Sequence, residues 1–287
     1  MLLGNASRIS RHQYHSDLTW SDTSYIFAAP NVYAYDIIDM WTIQNGGTAN
    51  RYTLALWFKV SDLSSEYDSS NYTVHIMGTG TGECGFQFHR QSYAVMLRLP
   101  GFITSAFSST GFLLPAAADS NITSANSADY TPAWGLVFFS VSNGQLTVKC
   151  YSPFEPIGYA RIYTSANASR WDNFTSADTA VPIVIGSSGN TNDQTVNIAE
   201  FGIWNKQLTN DEMTALYNSG EFLDFETTSG DYGASEVSAL KHYWRFGDGS
   251  GDSNASGSSF HMNDEAPGNT DIEASTGDIE ISGGIGS

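Results

Sequence analysis

Between Tyr52 and Val60 the chain alternates strictly. Tyr52, Leu54, Leu56, Phe58 and Val60 point one way, and Thr53, Ala55, Trp57 and Lys59 the other. Period two predicts a β-strand with one face in a core. Tyr93, Val95, Leu97 and Leu99 alternate with Ala94, Met96 and Arg98 in the same way. Trp134 to Val141 is almost continuously apolar, as a central strand of a sandwich can be. Asn143-Gly144 follows at once, and Leu146, Val148 and Cys150 alternate on the return. Both turn residues tolerate the positive φ of a type I′ hairpin. Pro182 to Gly186 and Leu240 to Phe246 complete the strand signals. Ile198 and Phe201 fall out of phase, which a β-bulge would correct.

One stretch has helical period. Thr209 and Glu212 stand three apart, the spacing of a capping box. Met213, Leu216 and Tyr217 then fall on one helical face, and Gly220 stands where a left-handed C-terminal cap is expected. Between the strands lie Ser/Asn/Gly/Thr stretches at 61–71, 116–129, 164–179 and 186–193, which read as loops. The predicted fold class is all-β: two antiparallel sheets packed face to face as a sandwich, with one short helix.

Three segments carry a resemblance. Ile198 to Asn218 resembles the end of the laminin-G-like, concanavalin A-like jelly-roll domain. The family pattern there runs roughly I-D-E-V-R-I-Y-N-R-A-L-S-D-E-E-I-x-x-L-Y-N. Ala199 replaces the usual Asp, and Gly202 a polar residue. Tyr52 to Lys59 is similar to the family's early F-T-I-S-A-W-F-K strand. Leu240 to Gly249 is similar to the L-x-x-W-W-R-M-G-D-G strand of laminin-G-like proteins found in marine bacteriophage particles. Asn263-Asp264 and Asp278-Ile279-Glu280 also resemble those phage proteins.

The 287 residues, 41% of them hydrophobic, suffice for one large β domain with appended arms. The organisation read from the sequence is an arm at 1–30, a jelly roll at 31–250 and an acidic Gly/Ser-rich extension at 251–287. The arm would serve attachment to a particle. Within the extension, Asp271 to Ala274 and Asp278 to Ile281 form a weak repeat. Both are expected to add to a sheet edge or to a neighbouring subunit.

Lysine and arginine total 12 against 30 acids, a formal net charge of −18. That balance argues against a nucleic-acid partner, because phosphate binding needs a basic patch. The charge is polarised. Arg8, Arg11, His12 and His15 precede the first acid, and nothing basic except His261 follows Arg245. Two cysteines, Cys84 and Cys150, are read as reduced and buried, with a single bridge as the alternative. No apolar h-region occupies residues 1–16, and no apolar run is long enough to insert in a membrane. The expectation is synthesis in a host cytoplasm.

Candidate chemistry is sparse. The carboxylate spacing of jelly-roll glycosidases, E-x-D-x-x-E, does not occur. Asp224-Phe225-Glu226 comes nearest in composition, but it follows the helix and is expected to lead out of the fold. Gly80 to Gly85 matches G-x-G-x-x-G formally, yet strand-like residues follow, so no helix N-terminus is available for a phosphate. Asp248, Asp252 and Asn254 alternate with Ser250 like the opening of a Ca²⁺ loop, without its sixth-position Gly or closing Glu. They are the metal candidates, with Asn190, Asn192 and Asp193 as a second oxygen-rich cluster. Trp171, Asp172 and Asn173 combine an aromatic ring with planar polar groups, as sugar binding requires. The alternative for Trp171 is a plug at the end of the sandwich.

What the resemblance implies is a non-enzymatic virion surface protein, a capsid decoration or fibre component. Its expected partners are other virion structural proteins, host or environmental glycans, and further copies of itself in a homo-oligomer. The rival readings are a free lectin module and a glycoside hydrolase.

Overall fold

The computed structural model describes residues 23–27, 33–47, 50–60, 74–76, 84–91, 94–98, 112–113, 134–152, 155–163, 171, 174–186, 196–246, 261–266, 272–276 and 280–283. Strands form two antiparallel sheets. The first carries, in order, β10 (Glu155–Tyr163), β9 (Gln145–Ser152), β8 (Gly135–Ser142), β3 (Arg51–Val60), β12 (Val196–Trp204), β1 (Thr23–Phe27) and β16 (Glu280–Gly283). A further strand, β13 (Leu240–Trp244), pairs with the far half of β12. The second sheet runs β14 (His261–Met262), β15 (Ile272–Thr276), β2 (Tyr33–Ile38), β11 (Val181–Gly186), β4 (Val74–Ile76), β5 (Cys84–Gln91), β6 (Ala94–Arg98) and β7 (Phe112–Leu113). The all-β antiparallel sandwich predicted from the alternation is the observed fold.

The segments that carry the family resemblance lie side by side. β3 pairs with β12, β12 with β13, and the helix after β12 covers the same sheet. The hairpin at Asn143-Gly144 has φ of 46° and 77° and closes β8 onto β9 with Ser142 opposite Gln145. Cys84 and Gly85, the last two residues of the Gly80–Gly85 run, belong to strand β5. Cys150 is a free, buried thiol. Strands β1, β14, β15 and β16 fall in stretches read as appendages. β1 pairs with β12, and β15 and β16 extend the two sheets along β2 and β1.

The main departure from the sequence reading concerns the second face of β3. Alternation predicts one buried face, yet Thr53, Ala55 and Trp57 are as buried as their neighbours. The reason is a second core outside the sandwich. Trp57 and Trp134 project from this face, too large and apolar to be left in water. Helix α2 (Asn210–Tyr217) and residues 221–239 cover them. Trp57 lies against Tyr217 at 5.8 Å and Phe222 at 4.4 Å, and Tyr217 stacks on Tyr151 at 5.0 Å.

Helix α2 starts at the predicted capping box. Thr209 N donates to Glu212 Oε2 at 2.6 Å, and Glu212 N to Thr209 Oγ1 at 3.3 Å. Its left-handed cap comes two residues earlier than Gly220 suggested, at Asn218 with φ 49°, a conformation asparagine tolerates. The short helices α1 (Met40–Asn45) and α3 (Ala234–Ala239) were not predicted. Six residues are too few to display a helical period.

Lys206 holds the cover to the sheet. Its Nζ lies 2.9 Å from Glu212 Oε1 on α2 and 2.5 Å from Glu236 Oε1 on α3. Burial alone would raise the Glu236 pKa, but hydrogen bonds from Lys206, Ser235 and Gly233 bring it from 4.5 down to about 2. Burial likewise opposes the Lys206 charge, and its two carboxylate partners outweigh burial and raise its pKa above 10.5. Stability from Glu236 is therefore present above pH 4.5 and lost as pH falls toward about 2. Stability from Lys206 is present below pH 10.5 and lost as pH rises through its raised value. Lys206→Met is expected to cost about 1–2 kcal/mol at pH 7. The two proteins should converge in acid, which urea melts at stepped pH would show. A constant gap down to pH 2 would remove Glu236 from the explanation.

Gly202 departs from the family pattern for a steric reason. A Cβ there would meet Trp204 Cη2 at 2.7 Å and Phe225 Cδ2 at 2.9 Å, both on fully buried rings. Gly202→Ala should cost about 1–3 kcal/mol through overpacking. A lowered urea midpoint with an unchanged slope is the check.

Candidate functional site

Among the described residues, a connected group of ionisable side chains is built on the β12 bulge. Between Ala199 and Phe201 the register with β3 slips by one residue, and Glu200 takes φ 47°. The bulge returns Ile198 and Phe201 to phase, as their spacing predicted. It also places a carboxylate inside the protein, because Glu200 is fully buried. Tyr243 from β13 donates its hydroxyl proton to Glu200 Oε2. Arg245, just after β13, brings Nε to 3.6 Å from Glu200 Oε1 and Nη1 to 3.4 Å from Asp224 Oδ2. Phe225 N donates to the Tyr243 oxygen at 3.1 Å. Tyr232 in turn donates to Phe225 O at 2.6 Å and accepts from Trp204 Nε1 at 3.0 Å.

A second pair adjoins it. His242 Nδ1 lies 2.7 Å from Asp264 Oδ2, and the imidazole stacks on Trp244 with centroids 5.4 Å apart. Asp264 Oδ1 accepts from Tyr243 N at 2.8 Å and Ala266 N at 3.0 Å. Glu265 N donates to Tyr243 O at 2.9 Å. The segment that begins as β14 in the second sheet is thus fastened to β13 in the first.

Electrostatics make this network a positioning device. Burial, and then the Glu200 charge, push the Tyr243 phenol well above its usual range. It stays protonated and serves as a hydrogen-bond donor. The Glu200 charge is met by a guanidinium within the same closed cluster. Solvent reaches the outer edge of the cluster at Asp224, Glu226 and part of the Arg245 side chain. Burial, with Asp224 and Glu265 nearby, raises the Glu226 pKa.

The sequence did not single out Glu200 or Arg245. The available signal was a lone carboxylate in the apolar run Ile198–Trp204, which demands a counter-charge if that run is buried on both faces. Asp224-Phe225-Glu226 does not lead out of the fold, as its place after the helix suggested. Phe225 is fully buried against Trp204 and Tyr243.

Trp171 is only 1% exposed. Its ring stacks on Phe139 at 5.2 Å and 12°, and its carbonyl accepts from the Tyr52 hydroxyl. Its buried indole offers no open face to a sugar, which corrects the stacking role read from its polar neighbours. The apolar Phe139 ring and the Tyr52 hydroxyl together draw it inward. Asp172, Asn173, Asp248, Asp252 and Asn254 lie outside the described residues, as do Asn190, Asn192 and Asp193. Among the described residues no group of His, Cys, Asp and Glu is arranged to hold a metal ion. No helix among them is long and apolar enough to cross a membrane.

No protein-family model matches the chain, and a search of curated proteins returns no match. Solved structures to which the chain is similar include domain 4 of AbnA, a GH43 extracellular arabinanase from Geobacillus stearothermophilus, in complex with arabinotriose. It is 19% identical, with 58% of this chain and 66% of that one covered and a TM-score of 0.31. The binding domain of botulinum neurotoxin DC in complex with rat synaptotagmin II is 11% identical, with 84% and 57% covered and a TM-score of 0.40. Bacteroides ovatus GH43B is 9% identical, with 53% and 27% covered and a TM-score of 0.32. The chain therefore spans between about a quarter and two thirds of the length of these structures.

Proposed function

We propose that this chain is a non-enzymatic, lectin-like module on the surface of a bacteriophage particle, with glycans as its ligand class. One observation carries the ligand reading: strand register places at one end of the sandwich the strand termini that three long polar stretches of sequence join. The chain leaves β3 at Val60 and enters β4 at Val74. It leaves β11 at Gly186 and enters β12 at Val196, and it enters β8 at Gly135 after residues 114–133. Val60 pairs with Val196, Phe58 with Gly135, and Val74 with Ile185, so these termini share one end. Residues 61–73, 114–133 and 187–195 contain no Lys or Arg, but they supply Asp and Asn in each and Tyr67, Tyr72 and Tyr130 between them. Amides and carboxylates match sugar diols, and tyrosine rings match the apolar face of a pyranose. Trp171 belongs to the opposite end, between β10 and β11.

The closed Glu200–Tyr243–Arg245 cluster favours binding over hydrolysis, since its carboxylate is used inside the protein. The acidic net charge and the resemblance of Leu240–Gly249, Asn263-Asp264 and Asp278-Ile279-Glu280 to phage laminin-G-like proteins support the particle assignment. The calcium role of Asp248, Asp252 and Asn254 is carried by their spacing alone.

A glycan array with the full chain is the test. Signal lost on replacing 187–195 by a Gly/Ser segment of equal length, but kept in Trp171→Phe, is the expected result. Reducing-sugar release from a bound polysaccharide would overturn the non-enzymatic reading. Mass spectrometry of purified virions from the source tests the location.

A further inference from the structure

Lys149 is an unusual residue for its place. It stands in the middle of β9, only 6% exposed, on the face covered by α2. Its cross-strand neighbour is Phe138, and its ammonium sits 4.7 Å from the centre of the Tyr151 ring. Among the described residues it makes no ion pair. Its polar contact is the side-chain amide of Asn210, the first residue of α2, with Nζ 3.1 Å from Oδ1. The amide is held there by its own backbone. Thr214 Oγ1 donates to Asn210 O at 2.7 Å, and the Tyr151 hydroxyl lies 2.9 Å from Thr214 Oγ1 and 3.4 Å from Asn210 O.

We propose that Lys149 and Asn210 form an intramolecular isopeptide bond that fastens α2 covalently to β9. The Lys149 nitrogen attacks Asn210 Cγ, one bond beyond the oxygen it already contacts. A C–N bond forms to Nζ, the bond from Cγ to Nδ2 breaks, and Nδ2 departs as ammonia with a proton from the amine. No oxidant, reductant or cofactor is consumed. Two features serve this step. The amine and amide are already in contact, so little orientation has to be found. Burial lowers the Lys149 pKa, partly offset by the charge of Asp211, which increases the share of neutral, nucleophilic amine.

The bond would close a loop from the sheet through β10, β11 and β12 back to the helix that covers Trp57 and Tyr151. The start of α2 could then not leave β9 without breaking a covalent bond.

Tryptic mapping of the purified full chain is the test. The expected result is a branched peptide joining the Lys149 and Asn210 segments, about 17 Da lighter than the sum of its parts, with no cleavage after Lys149. Lys149→Arg keeps a cation at the site but cannot form the amide, so the branched species should vanish while circular dichroism stays that of a folded β protein. Ammonia is also lost when an exposed Asn-Gly pair cyclises, and Asn143-Gly144 is such a pair. A deficit found only on the linear peptide containing Asn143 therefore overturns the proposal. So do two separate linear peptides of full mass with cleavage after Lys149.

Discussion

Arg245→Met is expected to destabilise the chain by about 3–5 kcal/mol, the cost of leaving a buried charge without its counter-ion. Glu200 is fully buried and cannot turn to water, since the bulge at φ 47° fixes its backbone between β3 and β13. Methionine replaces most of the aliphatic stem but not the guanidinium that faces Glu200 Oε1 and Asp224 Oδ2. Tyr243 still donates to the carboxylate. One neutral donor does not replace a full positive charge at low dielectric. The double variant Glu200→Gln/Arg245→Met removes both charges and should recover a large part of the loss. The coupling in that double-mutant cycle, read from urea midpoints, measures the pair. Additive losses would mean that Arg245 acts through packing alone and that the network does not hold the bulge.

The same two residues show what could be read from the chain and what could not. Strand positions were legible wherever period two was clean, as in β3, or where a turn had its own chemistry, as at Asn143-Gly144. The phase break at Ile198–Phe201 correctly implied a bulge. What the bulge carried was not legible, because a buried Glu announces itself only through a partner 45 positions away in sequence. Trp171 failed for a related reason. Its neighbours Asp172 and Asn173 are polar, so local composition predicts exposure, whereas Phe139 and Tyr52 draw the ring inward from distant strands. The second core was foreshadowed by Trp57 and Trp134 on a supposedly polar face. Their size was a better guide than the alternation. That Val60, Val74, Gly135, Gly186 and Val196 share one end of the sandwich required strand register, which no single segment specifies.

Trp204→Ala should be comparably costly, about 3–5 kcal/mol for a fully buried tryptophan. The pattern of loss matters more than its size. Trp204 lies at the end of β12, where its ring meets Phe225 at 5.2 Å and its Nε1 donates to Tyr232. Phe225 and Tyr232 belong to the cover over the outer core, not to the sandwich. Removing the indole takes away the contact surface of that cover and one partner of Tyr232, which keeps its bond to Phe225 O. Strands β3 and β8 keep all their register partners. Local opening of residues 221–239 should therefore become easier, while the central strands stay protected. Hydrogen exchange on the variant is expected to show faster exchange across 221–239 and α2, with β3 and β8 unchanged until global unfolding. Trp204→Phe refills most of the volume and should lose about 1–2 kcal/mol. Equal acceleration in the cover and in β3 would show that the outer core and the sandwich open as one unit. The cover would then be an integral part of the sandwich fold, not a layer held on from outside.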